Sequence, residues 1–234
     1  MRASRVQSVH EITDTIHGSE RPLRVERFEP AESAEAAVVI LHGADGLVRR
    51  GPAYRSLGRD LARRGYQALL PHYFESTGTP GHAMAAKPLD ALGWLAAAGE
   101  VIDRAGASGL PVGIIGFSLG AYLGLAAASH DARVKAVVDC VGGLPDFAVG
   151  NLERMPPVLI LHGEADPIVP ASEAHRLARW LQGRGIEHEM HVYPGLGHGF
   201  VGVTEDDARA RIFAFLDRHL WTDAPVSRPA SRRG

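Results

Sequence analysis

Apolar residues recur along this chain with two different spacings, and the alternation between them outlines an architecture. Residues 5–13 and 21–29 alternate apolar with polar positions, with Val6, Val9 and Ile12 in the first run and Leu23, Val25 and Phe28 in the second. The turn signal His17-Gly18-Ser19 separates them, which predicts an antiparallel hairpin at a sheet edge with one wet face. Residues 36–41, Ala-Ala-Val-Val-Ile-Leu, depart from alternation. A continuous apolar run of that length predicts a strand buried on both faces. Similar runs at 66–71, 111–115, 134–141 and 158–161 predict further core strands, and 187–193 predicts the last.

Between these runs the spacing lengthens to three and four. Tyr54, Leu57 and Leu61 predict a helix that Gly65 stops, and Leu92, Leu95, Ala96 and Ile102 predict a second. Residues 121–128 read as a buried helix with small residues toward its neighbours. Ala174, Leu177, Ala178 and Leu181 mark another, and Ile212, Phe213, Phe215, Leu216 and Leu220 form the inner face of a terminal helix over 206–220. Strands alternating with helices predict an α/β fold, a mostly parallel central sheet with helices on both faces and the hairpin at its edge. In such folds ligands bind at the C-terminal ends of the strands.

Length and charge narrow the picture further. The 234 residues fit one large α/β domain over 1–221, and the Thr, Asp, Pro, Ser and Arg composition after Trp221 predicts a disordered tail over 222–234. The segment 145–155 is too short for a folded lid domain. With 25 basic and 27 acidic residues well mixed, the chain has no electrostatic footprint for nucleic acid or an anionic membrane. That leaves small molecules as the expected partners. Cys140, the single cysteine, excludes an internal disulfide and sits in an apolar strand as an inert thiol. Residues 1–10 lack the apolar run of a signal peptide and nothing reaches membrane-spanning length, so a soluble, cytoplasmic protein is expected.

Candidate chemistry collects at the predicted strand ends. Gly116-Phe117-Ser118-Leu119-Gly120 joins the strand at 111–115 to the helix at 121–128, the setting of a G-x-S-x-G nucleophile elbow. The serine there adopts a strained backbone, and the flanking glycines remove Cβ atoms that would collide with it. A chain with 27 glycines produces the pentapeptide by chance often enough that the strand and helix around it carry the inference. Asp166 follows the strand at 158–161, and His198 follows the last strand. A neutral serine needs a base, and a histidine base needs a carboxylate to fix its tautomer and stabilise the imidazolium. The chain order Ser, Asp, His matches that chemistry on an α/β-hydrolase sheet.

Each residue also has an ordinary reading: Ser118 as a helix cap, Asp166 before Pro167 as a turn former, His198 between glycines as a loop histidine. Coincidence at three strand ends is the weaker explanation. Glu164 and Asp139 are alternative carboxylates for the histidine. Tyr73, Phe74, His82 and Lys87, in a loop predicted over 72–88, are candidate pocket residues, and Lys87 could attract a substrate carboxylate. His42, His72, His82 and His162 lack the spacing of metal ligands, so no metal is expected, and His42 and His162 fit hydrogen bonding within their loops.

Three stretches carry a family resemblance: 116–120, His162-Gly163-Glu164-Ala165-Asp166-Pro167-Ile168-Val169-Pro170, and Tyr193-Pro194-Gly195-Leu196-Gly197-His198-Gly199-Phe200. They resemble the nucleophile, acid and histidine motifs of the dienelactone hydrolase family within the α/β-hydrolase fold, and the similarity covers roughly 38–220. The resemblance implies Ser118 as nucleophile, Asp166 as orienting acid, His198 as general base, and an oxyanion hole from the backbone N–H groups of Leu119 and Ala44. It implies a small carboxylic ester or lactone as substrate and no cofactor. The founding members use a cysteine nucleophile and a glutamate in the loop after the third strand, where this chain has Ser118 and Gly43. An ester or lactone other than dienelactone therefore fits better. Without a lid, short or compact acyl groups are expected over long-chain lipids. The same machinery would also serve a small serine peptidase or acyl-aminoacyl hydrolase, and a ligand receptor on a hydrolase scaffold is the reading from outside enzymes.

Overall fold

The computed structural model describes residues 8–17, 21–79, 81–82, 90–146 and 154–221. Lys87, the predicted tail at 222–234, the turn residues 18 and 19 and most of the segment at 145–155 lie outside the described residues. Eight strands form one sheet: β1 (Val9–Ile16), β2 (Leu23–Pro30), β3 (Ala36–Leu41), β4 (Tyr66–Pro71), β5 (Val112–Phe117), β6 (Val134–Cys140), β7 (Val158–Gly163) and β8 (His188–Tyr193). Their spatial order is β1-β2-β4-β3-β5-β6-β7-β8. β1 pairs antiparallel with β2 in the register Val9 to Pro30 through Ile16 to Leu23, and β2 pairs antiparallel with β4. From β4 to β8 every pairing is parallel. The hairpin thus occupies one edge and β8 the other.

Apolar content follows position. Every residue of β3 and of β7 is buried, as expected of central parallel strands covered on both faces, whereas β1, at the sheet edge, has no buried residue and is exposed over most of its length. Helices α1 (Gly46–Arg63) and α5 (Val203–Leu220) cover one face, where Tyr54, Leu57 and Leu61 share a core with Ala208, Ile212 and Leu216. Helices α2 (Asp90–Gly106), α3 (Leu119–His130) and α4 (Ala171–Gln182) cover the other, burying Trp94, Val101, Leu123 and Leu177 among others.

Two elements differ from the pattern. α1 begins at Gly46, well before the periodic residues, and carries Pro52 inside it. The loop expected over 72–88 starts as a 3-10 turn, Tyr73–Thr77, ended by Gly78 in the left-handed region at φ 69°. Among the described residues no helix is long and apolar enough to cross a membrane.

Candidate active site

The tight joint between β5 and α3 positions Ser118. Its backbone sits at φ 53°, ψ −117°, where an L-residue is strained. The surrounding structure holds it there. The Ser118 N–H donates to the Cys140 carbonyl at the end of β6 (2.8 Å), and the Ser118 carbonyl accepts from the Ala121 N–H in the first turn of α3 (2.9 Å). The glycines on either side have no alternative. A Cβ on Gly116 would lie 2.3 Å from the Gly120 carbonyl oxygen, and one on Gly120 would lie 2.2 Å from that of Leu41. Close packing of β5 against the first turn of α3 therefore accounts for Gly116, and packing of that turn against the end of β3 accounts for Gly120.

β7 and β8 bring in the other two side chains through loops tied together by backbone bonds. The Glu164 N–H donates to the Tyr193 carbonyl (3.0 Å) and the Ala165 N–H to that of Leu196 (2.9 Å). With the loops so joined, Asp166 Oδ2 lies 2.7 Å from His198 Nδ1, and His198 Nε2 lies 3.0 Å from Ser118 Oγ. Asp166 Oδ1 accepts the N–H groups of Ile168 (2.9 Å) and Val169 (3.0 Å). Burial pushes the Asp166 carboxyl up, but the bonds from His198, Val169 and Ile168 outweigh it and hold the group below the ordinary aspartate range. Asp166 thus stays anionic with its side chain shut off from water, while His198 keeps 17 % of its side chain exposed. A hydroxyl facing an imidazole whose far nitrogen is held by a buried carboxylate can pass its proton inward as the oxygen attacks an electrophile.

The rival carboxylates are engaged elsewhere. Glu164 accepts the Gly195 N–H (3.1 Å) and so braces the histidine loop. Asp139, fully buried, accepts the Gly142 N–H on Oδ1 (2.9 Å), and Oδ2 has no partner among the described residues. Burial pushes its carboxyl up to about 7.

The loop after β3 faces Ser118. A Cβ on Gly43 would stand 3.6 Å from that of Ser118, and the Gly43 N–H donates to the Tyr54 hydroxyl (3.2 Å). Ala44 follows, lining the same cavity as Ser118 and His198. Leu119 is the first residue of α3, so its N–H has no acceptor within the helix, at the end where the helix dipole is positive. That end of α3 favours negative charge beside Ser118.

The cavity has a volume of about 670 Å³, within the range of small-molecule sites, and runs between α1 and α5. His82 lines it. Tyr73 does not serve as a contact there: it is fully buried, stacked on His42 at 4.0 Å between ring centroids, with its hydroxyl donating to the His42 carbonyl (2.6 Å). Phe74 is likewise buried, edge-on to His42. These rings carry the loop from behind, because the 3-10 turn directs them into the core. His42 Nδ1 is 2.9 Å from the Gly43 carbonyl, and His162 Nε2 is 2.8 Å from that of Val169. Among the described residues no three His, Cys, Asp or Glu side chains converge on a point that could hold a metal ion.

Several contributors had no clear sequence signal. Arg50 donates from Nη2 to the His198 carbonyl (3.4 Å) and pairs with Asp45. Val141, a β-branched residue at φ 52°, forms cavity wall directly after β6. A positive φ at such a residue cannot be read from a strand-like pattern.

Known proteins resemble this chain in sequence and in fold. The profile of the dienelactone hydrolase family matches residues 23–212. Acyl-protein thioesterase 1 of Gibberella zeae is 40 % identical over 70 residues, 30 % of this chain and 28 % of that protein. Acyl-protein thioesterase 1 of Eremothecium gossypii is 30 % identical over 142 residues, 56 % of this chain and 58 % of that one. The chain therefore spans less than two thirds of these relatives' own length. Among solved structures, dienelactone hydrolase from Anabaena variabilis superposes with a TM-score of 0.77 at 20 % identity, over 91 % of this chain and 99 % of that one. At that identity the likeness concerns the fold.

Proposed function

The chain belongs to the dienelactone hydrolase family, and from that premise we propose that it is a serine hydrolase of carboxylic esters or lactones acting through an acyl-serine intermediate. The observation that carries the reading is the unbroken line of hydrogen bonds from Ser118 Oγ through His198 to Asp166, opening on a cavity. His198 Nε2 takes the Ser118 proton as Oγ attacks the carbonyl carbon. The N–H groups of Leu119 and Ala44 receive the oxyanion. His198, now an imidazolium stabilised by Asp166, returns the proton to the departing alkoxide, and water repeats the sequence to release the acid. Water and the chain's own groups supply every proton and electron pair in this cycle.

Two residues set this chain apart from the founding members that the resemblance brings in. A serine needs its base in the ground state, which the 3.0 Å contact to His198 supplies. Gly43 leaves no side chain beside Ser118 to tune a thiolate. The reading is tested by steady-state hydrolysis of p-nitrophenyl acetate and of the matching p-nitroanilide by the wild type and by Ser118→Ala. The ester should turn over, the anilide far more slowly, and the variant should lose nearly all activity. A variant keeping half of the wild-type rate, or a preference for the anilide, overturns it.

A further inference from the structure

The cavity has a direction that the triad alone does not require. On α5 it is lined by Glu205, Ala208, Arg209 and Ile212, a spacing that keeps to one helical face. Across from them α1 presents Ala53, Tyr54 and Leu57. Seven residues of helix rise about 10 Å, so the channel beside Ser118 has roughly the reach of an eight-carbon chain. Its floor is apolar and closely packed: Tyr54, Leu57, Ala208 and Ile212 are each 5 % exposed or less.

Two of the arginines that line the cavity are held in ion pairs, Arg50 with Asp45 (3.4 Å) and Arg209 on α5. Arg209 donates to Asp60 (2.8 Å) and to Glu205 (3.0 Å), which closes an ion-paired lip over the apolar floor. Val48 and Ile168 line the cavity while 77 % and 68 % exposed, so they add apolar surface at its open side beside Arg49 and Arg50. A volume of 670 Å³ is about twenty water-sized groups at ~30 Å³ each, enough for an ester with one extended arm.

We propose that the channel between α1 and α5 binds a linear, uncharged apolar arm of the ester, about six to eight carbons long, and that this channel determines the substrate class. The inference rests on the hydrolase reading and deepens it, extending the compact preference expected from the sequence to a medium chain. The arm belongs to either the acyl or the alcohol half, and two substrate series separate these sources. The p-nitrophenyl esters from acetate to dodecanoate lengthen the acyl half, and the alkyl acetates from ethyl to dodecyl lengthen the alcohol half.

In one series kcat/KM should rise about two- to fourfold for each added methylene up to roughly eight carbons and then level, as the channel fills. Ala208→Leu narrows the channel from α5 and should lower the ratio of octanoate to acetate kcat/KM (or of octyl to ethyl acetate) at least tenfold. Ala53→Leu narrows it from an exposed position on α1, so it keeps the test available if the buried substitution does not fold. Turnover of the two-carbon esters with a flat or falling dependence in both series overturns the channel while leaving the hydrolase reading in place. An unchanged length ratio in a folded Ala53→Leu enzyme also overturns it. No hydrolysis of any ester overturns both.

Discussion

Replacing Asp139 by asparagine should make the protein more stable at pH 8 relative to the wild type than it does at pH 5. The carboxyl is fully buried at the end of β6, holds the Gly142 N–H with one oxygen, and has no partner for the other among the described residues. Burial raises it to about 7, against an ordinary aspartate value of about 3.9 in the unfolded chain. Between these values the native state holds a proton that the unfolded state has released, so stability falls as pH rises. The contribution is fully present below about pH 4 and is lost as pH passes through 7. At 1.36 kcal/mol per pH unit, the decline between pH 5 and 8 amounts to about 3 kcal/mol.

Asparagine has nearly the same shape and keeps an acceptor for Gly142 but does not titrate, so its stability lacks this slope. Every other group is common to both proteins, so the difference between the two isolates Asp139. Urea unfolding at pH 5 and pH 8 should show the variant gaining about 3 kcal/mol on the wild type across that interval. A difference that is the same at both pH values would mean that the native carboxyl is ionised throughout, and the assignment of a neutral buried acid would be wrong. Ester hydrolysis at pH 7 should stay within about threefold of the wild type, because Asp166 holds His198.

Asp166→Asn should cut kcat by about 10³ to 10⁴, since the amide can offer His198 an N–H where the imidazole needs an acceptor. Glu164→Gln, which keeps an acceptor for the Gly195 N–H, should cost less than about tenfold, and steady-state kinetics showing the reverse order would move the acid. Gly120→Ala would place a Cβ 2.2 Å from a backbone oxygen of β3, so thermal or urea unfolding should show a loss of about 3 kcal/mol or more, and wild-type stability would contradict the packing of the elbow.

Much of this arrangement was legible in the chain because parallel strands announce themselves. The runs 36–41 and 158–161, short and rich in β-branched residues, read as strands buried on both faces, and that placed Ser118, Asp166 and His198 at strand ends on one side of a sheet. The antiparallel edge hairpin followed from the alternation of Leu23 with Val25 and from the turn signal at 17–19. The cavity wall was less readable. Pro52 reads as a helix breaker, so the first turns of α1, which carry Val48 and Arg50 to the site, were not visible as helix. Tyr73 looked like a loop aromatic near the pocket, yet a 3-10 turn sends it inward to stack on His42. The meeting of α1 with α5 joins residues some 150 positions apart, and no local pattern encodes it.

The central claim is that Ser118 attacks with His198 as its base, and labelling with a fluorophosphonate tests it most directly. The reagent phosphonylates a serine only where a base takes the hydroxyl proton and donors receive the phosphonyl oxygen, so it reads out the site without a substrate. The account predicts a single adduct on the wild-type chain, mapped by mass spectrometry to the peptide carrying Ser118. It predicts that labelling disappears in Ser118→Ala and slows at least a hundredfold in His198→Ala. An adduct on another serine, or rapid labelling of Ser118 without His198, would contradict it.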